Sequence, residues 1–246
     1  RSSRGLQPLR PGMTPAPAAP GPVAIACGGT GGHVFPGLAV AGELRARGVE
    51  VTLFISAKDV DRRAVAGREG ARVVALPAVG LAGGRIAAFA RGFVAAWRAA
   101  RREFAARPPA AVLGMGGFTA APVVLAAPRG RARRALHEAN AVPGRANRWL
   151  APRCDLAAVH FPAARAGLRC PHVEVTGMPV RPEFHPRDPA GCRRALGLGS
   201  AAPTLLVTGG SQGARALNHA VFEALPALRA AVPGVQLILL TGPEGE

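Results

Sequence analysis

Glycine-rich loops recur along this chain, each placed directly behind a short apolar run. They read Gly28-Gly29-Thr30-Gly31-Gly32-His33, Gly114-Met115-Gly116-Gly117-Phe118 and Gly209-Gly210-Ser211-Gln212-Gly213, with Thr176-Gly177-Met178-Pro179-Val180-Arg181 as a turn-rich fourth. A loop that follows a strand and opens a helix aims free backbone N–H groups and a positive dipole end at one point, and glycine lets an anion come close. Repeated in register, the pattern predicts an α/β chain whose loops face phosphate, a diphosphate above all.

The rest of the chain fits that rhythm. Apolar strands are predicted at Val23–Cys27, Val51–Ile55, Arg72–Leu76, Ala111–Leu113 and Ala135–Leu136, with helices over His33–Gly48, Val60–Arg68, Arg85–Arg107 and Ala120–Ala127. Strands that are apolar throughout belong to a parallel sheet covered on both faces. After Val173–Val175 the turn at Thr176–Arg181 joins two domains. The pattern then restarts with a helix near Ala190–Leu196, a strand at Thr204–Val207, a helix through Arg229 and a strand at Val235–Leu240. Residues 1–21, rich in Pro, Ala and Arg, read as a flexible tail, residues 22–178 as a first Rossmann-like domain and residues 179–246 as the start of a second. A doubly wound domain usually needs five or six strands. With two strands after the turn and no Met at position 1, the chain is expected to be a fragment, or to end naturally beyond Glu246.

Charge narrows the partners. There are 31 Lys+Arg against 14 Asp+Glu, a net charge of +17, and Lys58 is the only lysine. Such a surplus attracts polyanions, although an arginine bias also follows from GC-rich coding. Nucleic-acid readers interleave aromatic stacking platforms among their basic residues. Here aromatics are 4% and tyrosine is absent, so a membrane surface or a phosphate-bearing substrate is favoured over nucleic acid. Cys27, Cys154, Cys170 and Cys192 show neither paired spacing nor histidines at ligand distance, which predicts neither a zinc site nor a disulfide framework and fits a reducing cytoplasm. No signal peptide is recognisable, and Ala110–Ala127 is too interrupted by glycine and proline to span a membrane.

The loops themselves exclude two chemistries. Gly-x-Gly-x-x-Gly counted from Gly29 would need glycine at position 34, where Val34 stands, and the second strand ends in Ser56-Ala57-Lys58 without the ribose-binding acid. A phosphate-binding Gly-x-x-x-x-Gly-Lys loop is impossible with Lys58 as the sole lysine. His33 sits where a helix begins, so the dipole favours a neutral imidazole able to accept a proton. A helix residue hydrogen-bonded to its loop is the equal alternative. Asp59 and Asp61 mimic an Asp-x-Asp metal motif, but two acids opening a helix are more often capping groups. Ile86, Phe89, Phe93 and Trp97 form a stripe beside Arg91, Arg98, Arg101 and Arg102. It is either a core face, the ordinary reading, or a basic amphipathic surface for an anionic bilayer. Ser211 and Arg181 can hold phosphate and Glu138 and Asn140 can reach a polar ligand, or they are an N-cap, a surface arginine and turn formers.

Taken together, Gly28–His33, Gly114–Phe118, His137-Glu138-Ala139-Asn140-Ala141-Val142-Pro143-Gly144, Thr176–Arg181 and Gly209–Ala214 closely resemble one family, in its order, from about Pro22 to the last residue. It is the bacterial UDP-N-acetylglucosamine–N-acetylmuramyl-(pentapeptide) pyrophosphoryl-undecaprenol N-acetylglucosaminyltransferases. The resemblance implies a GT-B fold, with the second domain incomplete here, and an inverting transfer of GlcNAc from UDP-GlcNAc to lipid I, giving lipid II for peptidoglycan synthesis, cell shape and division. It implies no metal or other cofactor, the cytoplasmic face of the plasma membrane as its place, and cell-wall and division proteins as partners. By matching position, His33 becomes the base or acceptor-orienting residue. Thr30, Gly31 and Gly32 line the cleft, and Gly28, Gly29, Gly116 and Gly117 cradle the acceptor diphosphate. Asn140 contacts GlcNAc, and Arg181, Ser211 and Gln212 hold the UDP side. The Ile86–Trp97 face becomes membrane-facing. Ala139, Met178 and Phe118 depart from the family's usual Gln, Asn and Tyr. The family's uracil- and ribose-reading segments lie beyond Glu246, so weak or no activity is expected of this chain alone. A GT-B enzyme with another lipid acceptor and an inactive truncated scaffold are the alternatives.

Overall fold

The computed structural model describes residues 21–66, 70–77, 86–210 and 213–242. They fall into two compact units that part between Arg181 and Pro182. In the first, strands and helices alternate: β1 (Val23–Ala26), α1 (Gly31–Ala46), β2 (Val51–Ser56), α2 (Asp59–Val65), β3 (Arg72–Leu76), α3 (Ile86–Ala106), β4 (Ala111–Gly114), α4 (Gly117–Ala126), β5 (Arg133–Glu138), α5 (Arg145–Leu150), β6 (Leu156–Val159) and β7 (His172–Val175). The strands form one sheet in the order β3-β2-β1-β4-β5-β6-β7. Every pairing in it is parallel, with Ile25 beside Leu53 on one flank and Leu113 on the other.

Alternation along β1 divides the core in two. Ala24 and Ala26 point into the layer that holds Phe104, Val123, Val124 and Leu136, whereas Ile25 and Cys27 point into the layer that holds Val34, Leu38, Leu53 and Ile55. Successive side chains of a strand face opposite ways, so a strand buried on both sides has to be apolar at every position. All six residues of β2 are buried, the apolar Val51, Leu53, Phe54 and Ile55 together with the short hydroxyl residues Thr52 and Ser56. Phe54 meets Phe104 edge to face, with ring centroids 5.5 Å apart and planes at 74°.

Among the described residues the expected strands and helices recur, with some differences. β5 begins two residues before Ala135 and ends at Glu138. α5 has no counterpart among the predicted elements, and neither has β6, Leu-Ala-Ala-Val. Its alanines carry little strand preference, and 3-10 turns at Ala151–Arg153 and Pro162–Gly167 crowd it on either side, so no period of two stands out.

The second unit consists of α6 (Pro189–Ala195), β8 (Thr204–Thr208), α7 (Arg215–Ala231) and β9 (Gln236–Leu240), with β8 and β9 paired in parallel. Asp188 caps α6 by accepting from the backbone N–H groups of Ala190 and Gly191. Leu206, Phe222 and Leu240 remain exposed, as two strands and two helices enclose little.

Candidate active site

The connections from β1 and β4 leave the sheet toward opposite edges, and loops at such a reversal form a crevice at the carboxyl ends of the strands. The first two glycine loops both lie there. A Cβ on Gly28 would stand 2.2 Å from the Ser56 backbone nitrogen, so only glycine lets this loop pass β2. Gly116 and Gly117 have φ values of +97° and +74°, a region costly for any residue with a Cβ.

His33 is the third residue of α1, and its ring lies against the second loop. A methyl on Gly116 would come within 3.1 Å of its Cδ2 and Nε2, and one on Gly117 within 3.2 Å of its Cε1 and Nδ1. The missing side chains are therefore what admit the imidazole. Its Nδ1 is 2.9 Å from Thr30 Oγ1. Burial lowers the His33 pKa below the usual 6.5. The negative charges of Glu138 and Asp61 oppose this, and His137 adds to it. The ring is neutral at pH 7, sits between the amino termini of α1 and α4, and keeps Nε2 as an acceptor in the tautomer whose Nδ1–H is donated to Thr30. That is the arrangement of a general base.

Three side chains that the sequence did not single out for this task pin the first loop. Asp61, fully buried, accepts from the Gly29 N–H at 2.7 Å, the Ser56 N–H at 3.0 Å and the Ser56 hydroxyl at 2.5 Å. The expectation of a capping pair is corrected here: Lys58 is the N-cap of α2, and Asp61 reaches out of the helix into the loop. All three donors converge on Oδ2, while the buried Oδ1 has no hydrogen-bond partner among the described residues. Lys58 donates to the Gly29 carbonyl at 3.2 Å and lies 5.3 Å from the Phe118 ring centre. Thr119 donates to the Gly28 carbonyl at 2.5 Å. Thr119→Val keeps the shape and removes this bond, leaving a buried carbonyl unpaired. It is expected to cost about 1–2 kcal/mol in urea unfolding, and an unchanged midpoint would show that the bond contributes nothing.

Glu138, at the end of β5, organises the neighbouring loop. Its Oε1 accepts from the Asn140 backbone at 2.9 Å and the Asn140 amide at 2.8 Å, and its Oε2 from the Gly144 N–H and the Asn147 amide, both at 2.9 Å. Burial alone would raise its pKa. The N–H groups of Asn140 and Gly144, with the two side-chain amides, outweigh burial and hold it below the usual carboxylate range. His33, Gly116, Glu138, Asn140 and Asn147 share the wall of one small cavity of ≈ 50 Å³. Asn147 was not anticipated, though its place nine residues after Glu138, on the helix that follows, is a local signal.

Residues 23–159 match the glycosyltransferase family 28 N-terminal domain, and residues 204–246 match the glycosyltransferase family 28 C-terminal domain. The chain belongs to glycosyltransferase family 28. Among its relatives, the UDP-N-acetylglucosamine–N-acetylmuramyl-(pentapeptide) pyrophosphoryl-undecaprenol N-acetylglucosamine transferase of Clavibacter sepedonicus is 41% identical over 226 residues, covering 89% of this chain and 60% of that protein. The protein of the same name from Acidothermus cellulolyticus is 41% identical over 232 residues, covering 90% and 61%. The crystal structure of Acinetobacter baumannii MurG superposes with a TM-score of 0.69 at 27% identity, over 92% of this chain and 62% of that one. The fold is GT-B-like with a partial second domain. The chain spans about 60% of the length of the curated relatives it matches.

Other anticipated residues of this family 28 chain are more scattered. Thr30 and Gly32 are exposed at the mouth of α1, beside half-buried Gly31. Asn140 is exposed and already bonded to Glu138. The Arg181 guanidinium lies 4.6 Å from the centre of the Phe35 ring, two residues along α1 from His33. Ser211 and Gln212 lie outside the described residues. The apolar stripe on α3 is divided. Phe93 and Trp97 pack against the core, whereas Ile86 and Val94 are exposed. That corrects the picture of a single membrane-facing row, because a helix lying on a sheet has to spend part of its apolar face there. The four cysteines are free thiols, and burial pushes Cys27 and Cys154 up to about 12, which makes them inert. No described helix is long and apolar enough to cross a membrane.

Proposed function

We propose that the protein, at its natural length, transfers N-acetylglucosamine from UDP-GlcNAc to the 4-hydroxyl of the N-acetylmuramyl unit of undecaprenyl-pyrophosphoryl-MurNAc-pentapeptide, with inversion. The observation that carries the reading is the convergence of two glycine loops and two helix amino termini on one neutral imidazole. The names of the relatives at 41% identity supply donor and acceptor. In this mechanism the acceptor oxygen attacks the anomeric carbon while the bond from that carbon to the diphosphate breaks. UDP leaves with the electron pair, and His33 Nε2 takes the hydroxyl proton. Gly28, Gly29, Gly116 and Gly117 bring backbone N–H groups to the acceptor diphosphate, Thr30, Gly31 and Gly32 line its approach, and Asn140 meets the transferred sugar. The first domain, over residues 22–178, takes the acceptor. The second, from 179 onward, takes the donor through Ser211 and Gln212, with Arg181 at the junction. No metal is required when helix termini and side chains stabilise the departing diphosphate.

Ile86, Ala90 and Val94, spaced by four along α3 and flanked by Arg91 and Arg98, give an apolar strip with a basic border. It supports peripheral contact with an anionic membrane on the cytoplasmic face.

The deciding assay supplies UDP-GlcNAc and a short-chain lipid I analogue to protein isolated from its source and looks for the disaccharide lipid by mass spectrometry. Its absence while UDP-GlcNAc still binds would overturn the acceptor, and absence of both would overturn the activity. Arg181→Ala is expected to weaken UDP-GlcNAc binding by about 10- to 100-fold in calorimetry, the worth of a charge-assisted bond to phosphate. Unchanged affinity would remove Arg181 from the donor site.

A further inference from the structure

The amino ends of the strands of the same sheet carry a second feature, which the transferase reading leaves unused. The segments entering β5, β6 and β7 enclose an open cleft of ≈ 660 Å³. Arg129, Arg131, Arg133, Arg134 and Arg153 line it, against the single carboxylate of Asp155. Asp155 is already engaged. Its Oδ2 accepts from the Arg134 backbone N–H at 2.7 Å, and its Oδ1 lies 3.7 Å from Arg133 Nη1.

Arg134 distinguishes this cleft from a scatter of surface arginines. It is 7% exposed, and its guanidinium donates to the Ala127 carbonyl. Among the described residues, no carboxylate lies within ion-pair distance of the Arg134, Arg129 or Arg131 guanidinium groups. Burial pulls the Arg134 pKa down and the neighbouring charge of Arg129 pulls it further, with Cys154 and Asp155 opposing them only in part. A buried cation is ordinarily paired, since desolvation is costly and like charges add to it. Arg153 is held in place by a 2.8 Å bond to the Trp149 carbonyl and by stacking 4.7 Å from the Trp149 ring centre. The cleft therefore has one buried and one braced guanidinium, with exposed ones at its rim.

We propose that this cleft binds a phosphate group. Guanidinium forks match phosphate oxygens bidentately, and an anion here would relieve the repulsion that Arg134 and Arg129 now bear. Phosphate reaches such a cleft either as a soluble anion or as the headgroup of an anionic phospholipid. The cleft is separate from the glycine loops: β5 places Arg133 at its amino end and Glu138 at its carboxyl end, about 17 Å away at ~3.4 Å per residue. The proposal does not depend on the transferase reading, and its test involves no turnover.

The test uses inorganic pyrophosphate and, separately, phosphatidylcholine vesicles with and without phosphatidylglycerol. The variants are R129E/R131E, with the milder R133Q/R153Q should the first unfold, and the control is R62E/R63E on α2, which removes the same charge at two exposed positions away from both the cleft and the α3 strip. Hydrogen exchange localises pyrophosphate, since the glycine loops offer it another site. Protection of residues 129–134 and 153–155, with affinity falling at least 10-fold in the cleft variant and retained in the control, supports a soluble anion. No protection there, but at least 10-fold loss of phosphatidylglycerol-dependent binding in the cleft variant and a smaller loss in the control, supports a lipid headgroup. Protection confined to 28–33 and 114–118, with cleft and control variants binding vesicles equally, overturns the proposal.

Discussion

His33→Ala should lower turnover by about 10²- to 10⁴-fold, the usual contribution of a positioned proton acceptor, while leaving the fold intact. The ring is half-buried and packs on glycine backbones. Its loss removes a contact from the mouth of the crevice and leaves the two core layers untouched. A circular dichroism melt should therefore move little. Turnover of the variant on the lipid I analogue within threefold of the parent would remove His33 from the mechanism.

The pH dependence carries the same signature. His33 has a pKa below 6.5 in the folded protein. A group so depressed contributes stability that is fully present above its unfolded value and is lost as pH falls through the folded one. His137, lowered mainly by burial, acts in the same direction. The acid limb of kcat/KM should accordingly fall below pH 6.5, and His33→Ala should flatten it. An acid limb that stays put in the variant would assign the base elsewhere.

The fold was largely legible because its signals are local. An apolar run followed by glycines and a helix reports a strand end wherever it occurs, and β1, β4 and β8 stand out in this way, whereas β2, β3 and β9 show as short apolar runs alone. β6 escaped because alanines give no period. The site was legible only where its chemistry is also local. Gly28–His33 and Gly114–Phe118 announce themselves, yet nothing in the sequence says that the second loop closes over the ring of the first. Thr119 bonds to Gly28 across 91 positions and Asp61 to Gly29 across 32. Such bonds arise from strand order, which reverses between β1 and β4. Asp61 looked like a capping acid because its helix position is right for one, and the sheet alone turns its carboxylate toward the loop.

Glu138 is expected to be the most costly polar residue of the site to replace. It is 2% exposed and accepts four hydrogen bonds. Glu138→Ala strands those donors, among them the buried amide of Asn147, and should cost about 3 kcal/mol in urea unfolding. Glu138→Gln separates charge from shape. Its carbonyl still serves the two Asn140 donors, but its NH₂ faces the N–H of Gly144 and the amide of Asn147, a clash of donors with donors. About 2 kcal/mol should be lost. The acid response should change as well. The folded-state pKa of Glu138 lies below the ordinary 4.5. Its contribution is thus present above pH 4.5 and disappears as pH falls through the folded value. Glu138→Gln has no such proton to bind, so the gap between parent and variant should narrow steadily below pH 4.5. A gap that stays constant from pH 7 to pH 3 would mean that the loop is held by its packing and not by the carboxylate charge.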